Sequence, residues 1–126
     1  MILADTSIWI EYLRKNQKYF TLMKVHLENL EIFTLECIFG ELLQGAKNDT
    51  ERTLIFEFWN NLPKIDPNGL WLEAGKFSSE SNLISKGVGL IDALIIVSAR
   101  KYQYKIWTLD KKIEKLLNKN ETYTNK

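Results

Sequence analysis

The chain alternates between short apolar runs and longer stretches whose apolar residues recur at helical spacing. Ile2–Ala4 is a continuous apolar run that stops at a carboxylate, a pattern typical of a buried parallel strand. Residues 31–35 and 106–109 have the same β-rich character. Weaker runs at 63–65 and 122–124 indicate one or two further short strands.

Helical spacing separates these strands throughout the chain. It predicts helices over about residues 8–14, 17–29, 36–46, 50–62, 70–86, 92–99 and 111–118. Strands that alternate with helices predict a parallel sheet with helices on both faces. We therefore expect an α/β fold with three layers, α/β/α, and a central, mainly parallel sheet of four to five short strands.

The predicted helix at 92–99 is apolar on nearly every side, so protein must cover it all round. It nevertheless opens on a carboxylate, Asp92, and the predicted strand at 106–109 ends directly on another, Asp110. A buried helix that opens on one charge and a core strand that closes on another are unfavourable unless a cation lies between them. This pair of acids is the first indication of a functional site.

Two further acids join the pair in the predicted fold. Asp5 follows the first strand, as Asp110 follows the last, and the carboxyl ends of parallel strands meet at one edge of a sheet. Glu41 lies at the edge of the buried arc of the third helix, with Gly45 one turn later on the same side. We expect Asp5, Glu41, Asp92 and Asp110 to face one depression.

Four carboxylates in one depression raise one another's pKa unless a cation neutralises them. An all-oxygen set suits Mg²⁺ or Mn²⁺ better than zinc, and such ions assist phosphate-ester cleavage by activating water. The single cysteine and single histidine, Cys37 and His26, exclude a metal site built from several thiolates or imidazoles. The number of ions, one or two, stays open.

Each acid also has a purely structural interpretation. Asp5 and Asp110 each precede a predicted helix and are possible caps, and Asp92 interacts well with a helix dipole. Glu41, taken alone, is better explained as a solvated helix residue. The arrangement of all four together favours the functional interpretation.

The hydroxyls after Asp5 have two interpretations as well. Ser7 is expected to cap the first helix, which would then begin at Ile8. Thr6 and Ser7, with the free N–H groups of a helix N-terminus, also form a candidate site for phosphate or water.

Composition sets the broad class of the protein. The 126 residues are enough for one domain, with residues 119–126 expected to form a polar, frayed tail. With a net charge of +1, the protein as a whole is not strongly basic. A polyanion would therefore have to bind at a local patch of positive charge. The N-terminus lacks a signal peptide's pattern and no apolar run approaches the roughly 20 residues of a membrane span. We expect a cytoplasmic protein without a membrane partner.

Four motifs, in order and at this spacing, resemble those of PIN-domain ribonucleases of the VapC toxin type. They are Ala-Asp-Thr-Ser-Ile-Trp-Ile at 4–10, Glu-Leu-Leu-Gln-Gly at 41–45, Gly-Leu-Ile-Asp-Ala-Leu-Ile at 89–95 and Thr-Leu-Asp at 108–110. The resemblance covers nearly the whole chain and implies that it is a single PIN domain.

The resemblance implies that Asp5, Glu41, Asp92 and Asp110 are the metal-binding and catalytic acids, supported by Thr6 or Ser7. It also implies Mg²⁺- or Mn²⁺-dependent endoribonuclease activity on a structured RNA such as tRNA. The implied partners are a second copy in a homodimer and a VapB-like antitoxin whose C-terminal segment covers the active site.

The chain departs from the family pattern after its last aspartate. Some members carry a further acid there, where this chain has Lys111 and Lys112, so Asp110 is expected to reach a metal through water. Lys86 and Lys111 lie nearest the predicted site along the chain and are the candidates for contacts to the RNA backbone.

Three other functions are considered from the sequence. A receiver-type signalling domain also binds Mg²⁺ at strand-end aspartates, but it normally has two adjacent acids after its first strand, where this chain has Asp5 and Thr6. A dehalogenase-type phosphatase needs a second aspartate at position 7, where Ser7 stands. A PIN-like scaffold that binds partners without catalysis is the other alternative.

Overall fold

The computed structural model of the protein describes residues 1–124 and shows a three-stranded parallel sheet. The strands are β1 (Ile2–Ala4), β2 (Ile32–Phe33) and β3 (Lys105–Trp107), in the order β2-β1-β3. Ile2 pairs with Ile32 on one side, and Ala4 pairs with Trp107 on the other. The first strand of the chain is therefore the central strand, and the residue that follows it lies at the middle of the sheet's carboxyl edge.

Seven α-helices connect and flank the strands of residues 1–124. They are α1 (Thr6–Leu13), α2 (Gln17–Glu28), α3 (Glu36–Gln44), α4 (Asp49–Asn61), α5 (Leu70–Glu80), α6 (Leu90–Tyr102) and α7 (Lys111–Glu114). Short 3₁₀ turns occupy Ile84–Lys86 and Lys119–Glu121. Helix α1 packs against α2 and α3, α3 packs against α4, and α5 packs against α6.

This architecture confirms the predicted α/β class with a parallel sheet. The sheet has three strands rather than four to five because the two weaker runs contribute only single bridges. Lys64 pairs with Thr34, and Thr122 pairs with Ile106. Each of these two runs pairs with its neighbour through one residue and does not form a further strand of the sheet.

Helix α6 is buried on most of its surface, as its apolar pattern predicts. The residues from Ala93 to Ile96, together with Ser98 and Ala99, are all buried, and only Ile91 and Val97 are partly exposed among its apolar residues between Ile91 and Ala99. Another part of the core is aromatic: Trp9 is fully buried and lies edge-on to Phe39 and Phe58. The sheet and α6 thus form a rigid base for the residues at the sheet's carboxyl edge.

In the helix predicted over residues 70–86, the apolar spacing places Ile84 in the core, and this prediction is wrong. Ile84 is 87% exposed, while its neighbour Leu83 is fully buried. The reason is that α5 ends at Glu80 and Asn82 takes a left-handed conformation (φ 53°), which changes the phase of the apolar pattern by one residue. The single helix predicted to reach residue 86 is therefore a helix followed by a separate 3₁₀ turn.

The C-terminal segment makes more contacts than its polar composition predicts. Arg100 Nε donates to Glu121 Oε2 at 2.7 Å, and the Tyr123 backbone N–H donates to the Ile106 carbonyl at 2.9 Å. These contacts hold residues 119–124 against α6 and β3. The remaining two positions of the expected frayed tail, 125 and 126, lie outside the described residues. None of the helices in residues 1–124 has the length and apolar character needed to cross a lipid bilayer.

Candidate active site

Asp5 lies at the middle of the sheet's carboxyl edge and is 5% exposed. Its Oδ1 accepts hydrogen bonds from the Ser7 hydroxyl at 2.5 Å and from the Ile8 backbone N–H at 3.3 Å. Its Oδ2 accepts a short hydrogen bond from the Thr108 hydroxyl. Burial raises the pKa of Asp5, and the hydrogen bonds from Ser7, Thr108 and the backbone lower it by less.

The helix cap is Asp5 and not Ser7. Helix α1 begins at Thr6, one residue before the predicted cap, and Asp5 accepts the N–H of Ile8 in the usual capping geometry. The Ser7 hydroxyl instead donates to Asp5 and accepts the Leu109 backbone N–H at 3.0 Å. Ser7 therefore joins the start of α1 to the segment that follows β3.

Thr108 makes a second connection of the same kind. Its hydroxyl donates to Asp5 and accepts the backbone N–H of Asp110 at 2.9 Å. Asp110 then caps α7, because its Oδ1 accepts the Lys112 backbone N–H at 2.8 Å. Thr108 opens the motif at 108–110, but its bond to Asp5 was not predicted, because the two residues are 103 positions apart along the chain.

Glu41 reaches the same edge from α3. Its Oε1 accepts a hydrogen bond from the Thr6 hydroxyl at 2.6 Å, although the carboxylate itself is exposed to solvent. Thr6 is the first residue of α1, directly after Asp5. The Thr6 hydroxyl therefore holds Glu41 beside the first turn of α1.

Asp92 lies at the start of α6, half-buried and with little hydrogen bonding. Its Oδ2 accepts one long hydrogen bond, from the Gly89 backbone N–H at 3.4 Å. Burial is the largest cause that raises the pKa of Asp92, and the negative charges of Asp110 and Glu41 raise it further. The charges of these three acids therefore act on one another.

All four predicted acids thus face one region at the carboxyl edge of the sheet. Thr6 connects α1 to Glu41, Thr108 connects Asp5 to the backbone of Asp110, and Asp92 lies within the electric field of Glu41 and Asp110.

The side chains do not form a closed metal cage. Within residues 1–124, no three histidine, cysteine, aspartate or glutamate side chains are arranged to hold one ion. The donor set nevertheless fits a hard divalent cation, since Asp92 has carboxylate lone pairs without partners and faces two further carboxylates. Mg²⁺ binds through one or two carboxylates and keeps several waters, so it does not need a closed cage.

The three lysines near the site in sequence differ in what their side chains contact. Lys86 ends the 3₁₀ turn before α6 and is exposed. Lys111 pairs with Glu114 on its own helix, with Nζ 3.5 Å from Oε2. Lys112, which sequence reasoning did not single out, extends over Gly87 and lowers the pKa of Asp92 through its positive charge. The only signal for it in the sequence was the pair of lysines in a position where some PIN domains have an acid.

Comparisons with known proteins agree with this architecture. The chain resembles VapBC2 from Rickettsia felis, in a crystal structure bound to a DNA fragment from their promoter, with a TM-score of 0.72 and 23% identity over 97% of this chain and 96% of that chain. It also resembles FitAcB from Neisseria gonorrhoeae, with a TM-score of 0.61 and 18% identity over 90% of each chain. No protein of curated function matches the sequence at a significant level.

Residues 2–118 match the PIN domain family, which agrees with the resemblance found in the four sequence motifs. This match extends from β1 to the residues after α7 and includes all four acids of the site. The protein therefore belongs to the PIN domain family.

Proposed function

We propose that the protein is a metal-dependent endoribonuclease and the toxin of a VapBC-type toxin–antitoxin pair. Family membership supports a nuclease, and the likeness to the VapBC2 structure supports the toxin assignment. The observation that carries the proposal is Asp92: a half-buried carboxylate with one long hydrogen bond that faces the charges of Glu41 and Asp110. Such a group is costly for the fold and is well suited to hold a cation.

In this proposal Asp92, Glu41, Asp110 and Asp5 hold Mg²⁺ or Mn²⁺, with Asp110 acting through water. When bound, such an ion supplies Lewis-acid chemistry to the attacking water and the phosphodiester. The chain's own residues set the geometry: Thr6 positions Glu41, and Ser7 and Thr108 position Asp5. One carboxylate of this set accepts the proton of the attacking water, and Asp92, whose lone pairs the fold leaves largely without donors, is the candidate for that role.

The RNA substrate is proposed to be structured, such as a tRNA. With a net charge of +1, the protein must bind RNA through local cations rather than through a general basic field. Lys86 and Lys111 are exposed near the two ends of the site, on the turn before α6 and on α7, and we assign them to contacts with the RNA backbone. The pair between Lys111 and Glu114 is exposed and costs little to exchange for a phosphate contact.

A groove beside Glu41 supports the proposed antitoxin contact. It has a volume of about 370 Å³, includes Glu41 at its edge and is mainly apolar, lined by Ile10, Leu13, Leu42, Leu54 and Ile55 among others. An antitoxin segment bound in this groove would extend to the carboxylates and cover them. We propose a VapB-like antitoxin as this partner, in the cytoplasm.

The proposed homodimer has separate support. Leu72 on α5 is 82% exposed and Ile84 on the following turn is 87% exposed. A partner that covered these two side chains would remove their apolar surface from water. A second copy is the partner that the family resemblance implies.

The test is RNA cleavage by the purified protein with Mg²⁺, with Mn²⁺ and with EDTA. We expect cleavage only with a divalent ion, and a loss on the order of 10²–10³-fold in Asp92→Asn, because the variant loses a metal ligand and proton acceptor. Asp66→Asn is the matched control, since Asp66 is an exposed turn residue whose contact to the Asn68 N–H survives in an amide. Mapping RNA ends in cells that express the parent or Asp92→Asn then identifies the substrate.

Family membership sets aside the receiver and phosphatase alternatives. The same experiment decides the non-catalytic scaffold: no RNA cleavage by the parent with either divalent ion would favour the scaffold, and equal cleavage by the parent, Asp92→Asn and the EDTA sample would show that Asp92 has no catalytic role. In that case the protein would still be expected to bind its antitoxin.

A further inference from the structure

A second apolar groove, separate from the one assigned to the antitoxin, opens between α3, α4 and the start of α5. It has a volume of about 590 Å³. Leu35 and Leu94, which are both buried, line its inner side. The aromatic rings of Phe56, Trp59 and Trp71 line it nearer the surface. The groove is therefore large enough, and aromatic enough, to receive a planar heterocycle.

Two tryptophans of this groove offer surfaces for stacking. Trp71 is 41% exposed at the start of α5. The Trp59 ring is held by Phe39, with 5.5 Å between ring centroids, and by the Lys64 Nζ, 4.6 Å from its centroid. A ring that is already fixed loses little freedom when a flat ligand stacks on it. Leu72, which we assign to the dimer, follows Trp71 on α5 and is turned roughly 100° away from it around the helix.

A glycine leaves part of the groove empty. Gly40 lies in the middle of α3, where glycine is less favourable than alanine, and a Cβ built on it would meet no atom within 4 Å. Packing within the chain therefore does not require a glycine at this position. The open space belongs to the groove and is available to a ligand that approaches the helix backbone closely.

Glu36 adds a charged group to the groove. It is the first residue of α3 and is exposed, and no donor within residues 1–124 binds its carboxylate. It lies at the same edge of the sheet as the four acids, because α3 follows β2 as α1 follows the neighbouring strand β1. The two oxygens of a carboxylate can accept from two adjacent donors. Guanine is the RNA base with two such donors, N1–H and N2–H, side by side on its Watson–Crick edge.

We propose that this groove binds one unpaired guanine of the RNA substrate, stacked on Trp59 and Trp71 and bound at its donor edge by Glu36. The inference rests on the proposed nuclease function and names a feature of its substrate. Proteins commonly hold unpaired bases by stacking them on aromatic side chains. Gly40 of the groove directly precedes Glu41 of the acid site, so the guanine lies close to the phosphate that is cleaved.

The first test is a titration with guanosine monophosphate (GMP) in EDTA, followed by the NMR signals of the indole N–H groups. AMP, CMP and UMP are controls that carry the same phosphate. We expect GMP to shift the signals of Trp59 and Trp71 but not that of buried Trp9, and to bind about tenfold more tightly than the other three nucleotides. Glu36→Gln should remove this preference. Glu73→Gln, which changes an exposed acid in the first turn of α5, should keep it.

Two further variants test the stacking surface and the empty space. Trp71→Leu should weaken GMP binding at least about fivefold. Tyr102→Leu changes an aromatic residue of similar exposure at the end of α6 and should leave the affinity unchanged. Gly40→Leu should also weaken GMP binding, because its side chain fills the groove, while its melting temperature rises by about 2–4 °C. That rise would show that the loss of binding is not a loss of folding.

Three outcomes would decide against the inference. Equal binding of all four nucleotides, or an unchanged GMP affinity in both Trp71→Leu and Gly40→Leu, would overturn the guanine site. A change from dimer to monomer in Trp71→Leu with unchanged GMP affinity, measured by sedimentation, would assign the groove to a second copy instead. Failure of the parent to cleave RNA would count against the proposed function alone, because the nucleotide titration requires neither a metal ion nor cleavage.

Discussion

The starts of α1 and α6 each have a carboxylate at the same edge of the sheet, but the two are held differently. Asp5 is buried, and its two oxygens accept hydrogen bonds from Ser7, Thr108 and the backbone N–H of Ile8. Asp92 is half-buried and accepts one long bond, from the N–H of Gly89. Burial is the largest cause that raises the pKa of both groups, but only at Asp92 do neighbouring negative charges add to it appreciably.

The difference separates two tasks within one site. The Asp5 carboxylate connects β1, α1 and the end of β3, so its removal leaves donors in the interior without partners. The Asp92 carboxylate has lone pairs that the fold does not use, and it experiences repulsion that a cation would relieve. Asp5 therefore mainly organises the site, while Asp92 is the group most available to a ligand.

The largest effect on stability is expected for Asp5→Ala. Loss of the helix cap and of the acceptor for two hydroxyls should lower the free energy of unfolding by about 1–3 kcal/mol, because burial of unpaired donors outweighs relief of the buried charge. Asp92→Ala is the paired variant and should change it by less than about 1 kcal/mol. Urea denaturation in EDTA measures both values. A loss in Asp92→Ala that equals the loss in Asp5→Ala would remove the distinction between the two regions.

A smaller loss is expected for Thr108→Val, which keeps the shape of the side chain and removes its hydroxyl. The variant loses the donor to Asp5 and the acceptor of the Asp110 N–H, and we expect a destabilisation of about 0.5–1.5 kcal/mol in the same denaturation experiment. Thr124→Val is a suitable control, since Thr124 is exposed. Unchanged stability in Thr108→Val would mean that Asp5 does not depend on the link to the end of β3.

The smallest expected effect is the pH dependence of stability that comes from the charge of Asp92. The folded-state pKa of Asp92 lies above its ordinary value of 3.8, so the ionised group lowers stability above the folded pKa, and this penalty disappears as pH falls towards 3.8. In EDTA at pH 7, Asp92→Asn should be more stable than the parent by less than about 1 kcal/mol, because the side chain is half-exposed. Thermal unfolding at a series of pH values should show this advantage shrinking as the solution is acidified.

Glu121→Gln is a control in which loss of the charge is expected to change stability in the opposite direction. The hydrogen bond from Arg100 holds the pKa of Glu121 below its usual 4.5, so its ionised form stabilises the protein above pH 4.5 and that stabilisation is lost as pH falls. This variant should be less stable than the parent at pH 7. An Asp92→Asn advantage that grows in acid would contradict the assigned direction of the pKa of Asp92.

Local sequence patterns predicted those parts of the fold that depend on neighbouring residues. The burial of α6 follows from its continuous apolar composition, and the positions of Asp5 and Asp110 after strands follow from the apolar runs before them. The central place of β1 does not follow from such patterns, because it depends on which strands pair. That pairing is what brings Asp5 and Asp110 to one edge.

The contacts that hold the site were not predictable in the same way. Thr108 and Ser7 bind across the gap between the start of α1 and the end of β3, and no local spacing reports a contact between segments about a hundred residues apart. Ser7 has the composition of a helix cap, but Asp5 stands one position closer to the strand and takes that role. Lys112 was overlooked because its side chain lies against Gly87, a contact between α7 and the turn before α6 that no local spacing reports.

The pairing of β1 with β3 has a consequence for biosynthesis. β1 leaves the ribosome about a hundred residues before its neighbour β3 and the hydroxyl of Thr108. Until then the central strand lacks one of its two flanks, and Asp5 lacks a hydrogen-bond donor that holds it in place. At usual elongation rates this interval lasts about 5–20 s. A nascent chain therefore has no assembled acid cluster during this interval, and the site forms only after the segment that contains β3 and Thr108 has been synthesised.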